Sequence, residues 1–193
     1  MTATTTPAHY VPLDLTGSMW DEFSTVAPLV LVGTIEADGS PDIAPKHQAM
    51  PLGHGTLFGF VCRDDHATYR NAVATESFSV GYPSAEMVLQ TSLAAAPRDS
   101  DGAKPTLEVL SLSPATVIDG VLVDGCPVQL ECRLERIVDD LGESALLVGR
   151  VVAAYATQKA MADRVPLLAY VHPGRVAAVH ETKGFPYHRG FHR

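Results

Sequence analysis

The sequence predicts a mainly β protein, an antiparallel barrel or sandwich with helices appended at its crossovers. Short runs rich in Val, Leu, Ile and Phe recur along the chain, joined mainly by turns marked with Gly, Pro and Asp. The cleanest run, "VQLECRLERIV" (128–138), alternates Val128, Leu130, Cys132 and Leu134 with Gln129, Glu131, Arg133 and Glu135. That is the period of a strand buried on one face. Helical patterns do not alternate regularly with these strands, which disfavours a doubly wound parallel sheet.

Taken in order, residues 1–12 read as a flexible leader of Thr, Ala and Pro. "LTGSMWDEFSTVAP" (15–28) predicts a short amphipathic helix, with Ser18 as N-cap and Leu15, Met19, Phe23 and Val26 on one face. "LVLVGTIE" is a strand, "ADGS" a turn carrying the Asp-Gly signal, and "PDIAPKHQAM" (41–50) one returning strand. "PLGHG" turns the chain into a further strand, "TLFGFVC". "HATYRNAVAT" (66–75) predicts a helix that Asp64 or Asp65 caps, followed by the strand "SFSVGY" and a helix beginning at Ser84. "PRDSDGAKP" (97–105) is loop by composition, and 106–127 holds short strand pieces broken by Gly, Pro and Asp. "ALLVGRVVAAYA" returns against 128–138, and one or two strands follow "PLLAYV" before a His- and aromatic-rich tail, 181–193.

Composition narrows the function classes. The chain of 193 residues is long enough for one domain with a sizeable core and short for two. A net charge of -8 argues against a nucleic-acid partner. No apolar run approaches the ~20 residues of a membrane helix, so no membrane role is expected. The N-terminus lacks a secretory pattern, and Cys62, Cys126 and Cys132 are odd in number without CxxC spacing. Reduced thiols in the cytoplasm fit best.

No Walker-type loop, strand-to-helix GxGxxG or GxSxG elbow is present, and Gly53 and Gly55 precede a strand. His188 and His192 are spaced i,i+4, but Pro186 and Gly190 oppose a helix there, so no metal is expected. Cys62 reads more simply as a small apolar strand residue than as a thiolate partner of His66. Two polar stretches remain. The helix at 66–75 starts directly after a strand end, where free amides and the helix dipole favour an anion. Arg63, Arg70 and the Thr68 hydroxyl would add donors. In "IAPKHQAM", Lys46 and Gln48 share one face and His47 the other, facing either water or a planar polar ligand.

The order of "LVLVGTIEADGSPDIAPKHQAM", "GTLFGFVCRDDHATYRNAVATESFSVGY" and "CPVQLECRLERIVDDLGESALLVGRVVAAYA" resembles the flavin reductase-like, FMN-binding split-barrel family, over about residues 26–180. The resemblance implies a six-stranded antiparallel Greek-key split β-barrel with flanking helices over 13–180, normally a homodimer. It implies FMN, with FAD as the alternative, held by Pro45, Lys46, His47, Gln48, Ala49, Cys62, Arg63, His66, Thr68 and Asn71. The phosphate would sit on the Thr68 stretch and the isoalloxazine against 46–49. Ala67 stands where the family usually has an acid, and Lys46–His47 where it usually has a serine- or aromatic-rich run. The implied activity is hydride transfer from NAD(P)H to flavin, with His47 as the catalytic or positioning side chain. Reduced flavin would pass to a monooxygenase partner or stay bound. The alternative is a flavin carrier without reductase activity. The tail 181–193 is expected at the dimer interface or over the site.

Overall fold

The computed structural model describes residues 9–100 and 102–184. In chain order the elements are β1 (Val26–Pro28), β2 (Val30–Ile35), β3 (Pro41–Lys46), β4 (Ala49–Leu52), β5 (Leu57–Arg63), α1 (Ala67–Thr75) and β6 (Ser77–Tyr82). There follow α2 (Val88–Leu93), β7 (Leu112–Pro114), β8 (Val121–Val123), β9 (Val128–Val138), β10 (Ser144–Ala156), α3 (Gln158–Met161), β11 (Leu167–Val171) and β12 (Arg175–Val179). Seven strands form one curled antiparallel sheet in the order β3-β2-β6-β9-β10-β5-β4. Smaller sheets, β1-β11-β12 and β7-β8, complete the fold. Among the described residues, no helix is long and apolar enough to cross a membrane.

The expected mainly β split barrel is the fold observed, and its main sheet gains a seventh strand for a local reason. The single strand expected over 41–50 breaks at His47 and Gln48. Its first half, β3, pairs with β2, and its second half, β4, pairs with β5. The two edge strands of the sheet are thus joined by two residues. A connection that short forces the sheet to curl until its edges nearly meet, and His47–Gln48 mark the seam.

Both faces of the sheet are covered at β2, which explains its unbroken apolar run. On one side Phe58, Phe60 and Phe78 pack with Val30, Val32, Val80, Cys132 and Leu147. The Phe60 and Phe78 rings meet edge to face at 5.0 Å. Each such ring contributes roughly 1.5–3 kcal/mol by burial. On the other side Leu31 and Ile43 meet Met87, Leu107, Leu110, Val123 and Cys126. Gly33 is required by this second layer, since a Cβ there would collide with Ser79 Oγ and stand 3.0 Å from the Val121 carbonyl oxygen. All three cysteines are free and buried.

Two further expectations about the sheet and its flanks fail. The segment 15–28 is not a helix: it holds only a 3-10 turn, Met19–Asp21, and then β1, which pairs with β11. Half of its expected apolar face stays in water, with Leu15 77% and Val26 72% exposed. A helix this short is not stable without packing along that face. Glu131, assigned by alternation to the solvent face of β9, is fully buried. The 115–120 segment between β7 and β8 covers it, and Thr116 N, Val117 N, Ile118 N, Thr116 Oγ1 and Tyr155 OH all donate to its carboxylate.

Candidate functional site

The seam places Lys46 at the end of β3, opposite the end of β5, and its Nζ donates to Cys62 Sγ at 3.2 Å across the gap. α1 begins four residues beyond β5 and is fastened beneath the sheet by two buried side chains. Asn71 Nδ2 donates to Thr34 Oγ1, and Thr68 Oγ1 donates to Asp42 Oδ2, both at 3.2 Å. The start of α1 is thereby fixed beside Lys46.

Two cleft lobes open here, and Pro45, Lys46 and His66 line both. The smaller, about 250 Å³, is completed by His47, Gln48, Cys62, Arg63 and Ser144. The larger, about 450 Å³, runs past Thr68 and Arg70 to the end of α2, Arg98 and Lys104. Sizes of this order suit organic ligands. Eight of the sequence-predicted residues therefore come together: Pro45, Lys46, His47, Gln48, Cys62, Arg63, His66 and Thr68. Ala49 and Asn71 do not line the lobes; Ala49 pairs with Phe60 in the sheet, and Asn71 is held on Thr34.

The larger lobe is cationic. Lys46, Arg70, Arg98 and Lys104 stand around it against Asp42 and Asp65. Both acids are already engaged. Asp42, 2% exposed, receives Arg98 at 2.8 Å and lies 3.8 Å from Lys104 Nζ. Asp65 takes a bidentate pair from Arg63 at 3.0 and 2.9 Å, and does not cap α1. Arg63 is also drawn outward to Glu143 at 2.6 Å, so its charge is largely spent on acids. The N-cap residue of α1 is His66, without a side-chain capping bond.

The Thr68 hydroxyl gives its one proton to buried Asp42, so a phosphate would meet its backbone N–H rather than its hydroxyl. Thr68→Val should therefore lower folding stability by about 1.5–3 kcal/mol, the worth of a bond to a charged group. Urea denaturation measures it, and an unchanged midpoint would show that this hydrogen bond contributes nothing.

Charge crowding shows in the proton affinities. Desolvation, then Lys46, push His66 below the ordinary imidazole value. Burial lowers His47 first, and His172 and Lys46 lower it further. Lys104 is also lowered by desolvation, which Asp42 partly offsets. His47 therefore stays neutral at pH 7, with one ring donor and one acceptor. Its ring stacks on Tyr170 at 4.1 Å. His172, whose Nε2 lies 2.7 Å from Asp21, sits 6.3 Å beyond.

Arg98, Lys104 and Asp42 were not visible as site residues in the sequence. The loop 97–105 carries acids among its cations, and only the folded chain brings it against β3, where Lys104 Nζ donates to the Ile43 carbonyl oxygen at 2.8 Å. Tyr170 and His172 come from the small sheet, and nothing local in the sequence links them to His47. Among the described residues no group of His, Cys, Asp and Glu is arranged to hold a metal. His188 and His192 lie outside the described residues, as does most of the tail 181–193.

The fold recurs among solved structures. Flavoredoxin from Methanosarcina acetivorans superposes with a TM-score of 0.77 at 17% identity, over 95% of this chain and 98% of that one. Flavoredoxin of Desulfovibrio vulgaris (Miyazaki F) gives 0.74 at 18%, over 97% and 100%. Nitrilotriacetate monooxygenase component B from Bacillus cereus gives 0.75 at 20%, over 89% and 90%. No curated protein sequence matches the chain. Identities this low speak for the fold alone. The family model described as "Flavin reductase like domain" matches residues 23–178, and the chain belongs to that family.

Proposed function

We propose that the chain is a flavin-dependent oxidoreductase that takes hydride from NAD(P)H, working as a homodimer with FMN, or alternatively FAD, as its flavin. Family membership supports flavin chemistry and oxidoreductase activity in general. The observation that carries the finer reading is the two-lobed trough. A cationic lobe at a helix N-terminus adjoins a narrower polar lobe at the barrel seam.

The donor set fits a flavin. A phosphate dianion is matched by Lys46, Arg70, Lys104 and the first amides of α1, while the acids nearby are already paired. A planar heterocycle with both donors and acceptors is matched by neutral His47 and by Gln48. When bound, flavin supplies two-electron acceptance from the dihydronicotinamide and onward electron transfer. The protein's part is orientation. His47, steadied by Tyr170, positions the ring, and Lys46 stands where the two lobes join.

Purified protein should be yellow, and anaerobic NADH or NADPH should bleach the flavin absorbance. A yellow protein that neither nucleotide bleaches would instead make it a flavin carrier without reductase activity. The likeness to nitrilotriacetate monooxygenase component B suggests a destination for reduced flavin, a separate oxygenase. Transfer of reduced flavin out of the protein after bleaching tests that destination.

A further inference from the structure

Three rings from separate parts of the chain meet on the His47 side of the seam. His47 stacks on Tyr170 at 4.1 Å with the planes 23° apart. The His172 ring stands 5.7 Å from Tyr170 and 6.3 Å from His47, within the range at which aromatic rings interact. His47 lies in the break between β3 and β4, whereas Tyr170 and His172 belong to the end of β11 and the turn after it.

What orients these rings comes from outside the cleft. The Tyr170 hydroxyl accepts from Gly174 N at 2.8 Å, which ties the ring to the β11–β12 turn. That turn is fastened to the segment 18–25. His172 N donates to the Thr25 carbonyl oxygen at 2.9 Å, and Arg175 Nη2 donates to Ser24 Oγ at 2.7 Å. His172 Nε2 lies 2.7 Å from Asp21 Oδ1. A carboxylate only accepts, so Nε2 carries the hydrogen and Asp21 sets the plane of the His172 ring. Residues 18–25 themselves line neither lobe.

The energetics separate this contact from a structural clasp. The Asp21 side chain is 61% exposed, and an ion pair so placed adds little to folding. The β1–β11 ladder and the Thr25 and Ser24 bonds hold the segment without it. What the pair supplies is the direction of the ring that backs Tyr170 and His47.

We infer that Asp21 and His172 are positioning residues for hydride transfer, orienting the ring stack that sets the angle at which His47 meets the flavin. The inference rests on the reading of the narrow lobe as the place of the flavin ring. Neither residue lines that lobe, so both act through His47.

Asp21→Ala and His172→Asn are compared with the unaltered chain by two measurements. In flavin-free protein, NMR follows the His47 ring protons, which the ring current of stacked Tyr170 shifts, and both variants should move them. In flavin-loaded protein, anaerobic bleaching at saturating dihydronicotinamide should slow about tenfold, with its KM and the FMN affinity held within about twofold, because misplacing reacting groups costs rate. Urea midpoints should stay in place. Asp21→Asn keeps an acceptor oxygen for Nε2 and should recover most of the rate. Unmoved His47 protons in both variants would overturn the inference, and so would moved protons with an unchanged bleaching rate. Equal slowing in Asp21→Asn and Asp21→Ala would assign the effect to charge alone and overturn it as well. If the unaltered protein binds no flavin, the flavin reading falls and takes the inference with it. If it binds and is bleached while the variants match it, the inference falls alone.

Discussion

Glu131→Ala is expected to lower folding stability by about 3–5 kcal/mol, much of the total for a domain of this kind. The carboxylate is fully buried in β9 and accepts from three consecutive backbone amides, Thr116, Val117 and Ile118, and from two hydroxyls. Alanine leaves those amides without their acceptor and opens a hole beneath the β7–β8 ribbon. Urea denaturation gives the loss, and Tyr155→Phe, which removes one donor, should cost only about 1 kcal/mol. A loss below that for Glu131→Ala would mean that water replaces the carboxylate freely, and the clamp would not be structural.

The same group sets an acid limit. Desolvation alone would raise its pKa, but the hydrogen bonds from Thr116, Val117 and Tyr155 outweigh it and hold the value at about 2, against 4.5 for a free glutamate. A carboxyl depressed by folding adds stability that is fully present above the unfolded value. That stability fades as pH falls from about 4.5 towards about 2. Glu131→Gln should therefore flatten the fall in stability over that window, besides costing stability at pH 7.

Glu131 also shows where sequence reasoning stops. The period of two along 128–138 correctly gave a strand, and the apolar side chains of that strand do pack inward at Cys132. Periodicity assumes that the other face is wet, and the 115–120 segment breaks that assumption from a distance no local pattern reports. The segment 15–28 failed for the converse reason, because half of its apolar face had no partner surface. At the site, Lys46 and His47 stand out in the sequence as a polar interruption of an expected strand that the family resemblance assigns to the flavin, and His66 as a residue between a strand end and a helix start. Asp42, Arg98 and Lys104 do not stand out, because their juxtaposition depends on a loop closing over β3.

Lys46 is where these strands of argument meet, and Lys46→Glu is the sharpest test of the cleft. Its charge touches both lobes, and the lowered proton affinities of His66, His47 and Lys104, set first by desolvation, each carry a Lys46 contribution. Reversing that charge removes one attraction to a phosphate dianion and adds a repulsion in a partly desolvated cleft. FMN affinity should fall by about 100-fold or more, and by only about tenfold for Lys46→Met, which removes the attraction alone. Measurement of flavin-free protein supplies the control. The ring protons of His47 and His66, followed by NMR, should titrate at higher pH in Lys46→Glu than in the unaltered chain, since a negative neighbour favours the imidazolium. Raised histidine values with unchanged FMN affinity would place the flavin phosphate away from Lys46. Raised values together with the graded loss of affinity would tie the phosphate to the cation at the seam, where the break in a single strand put it.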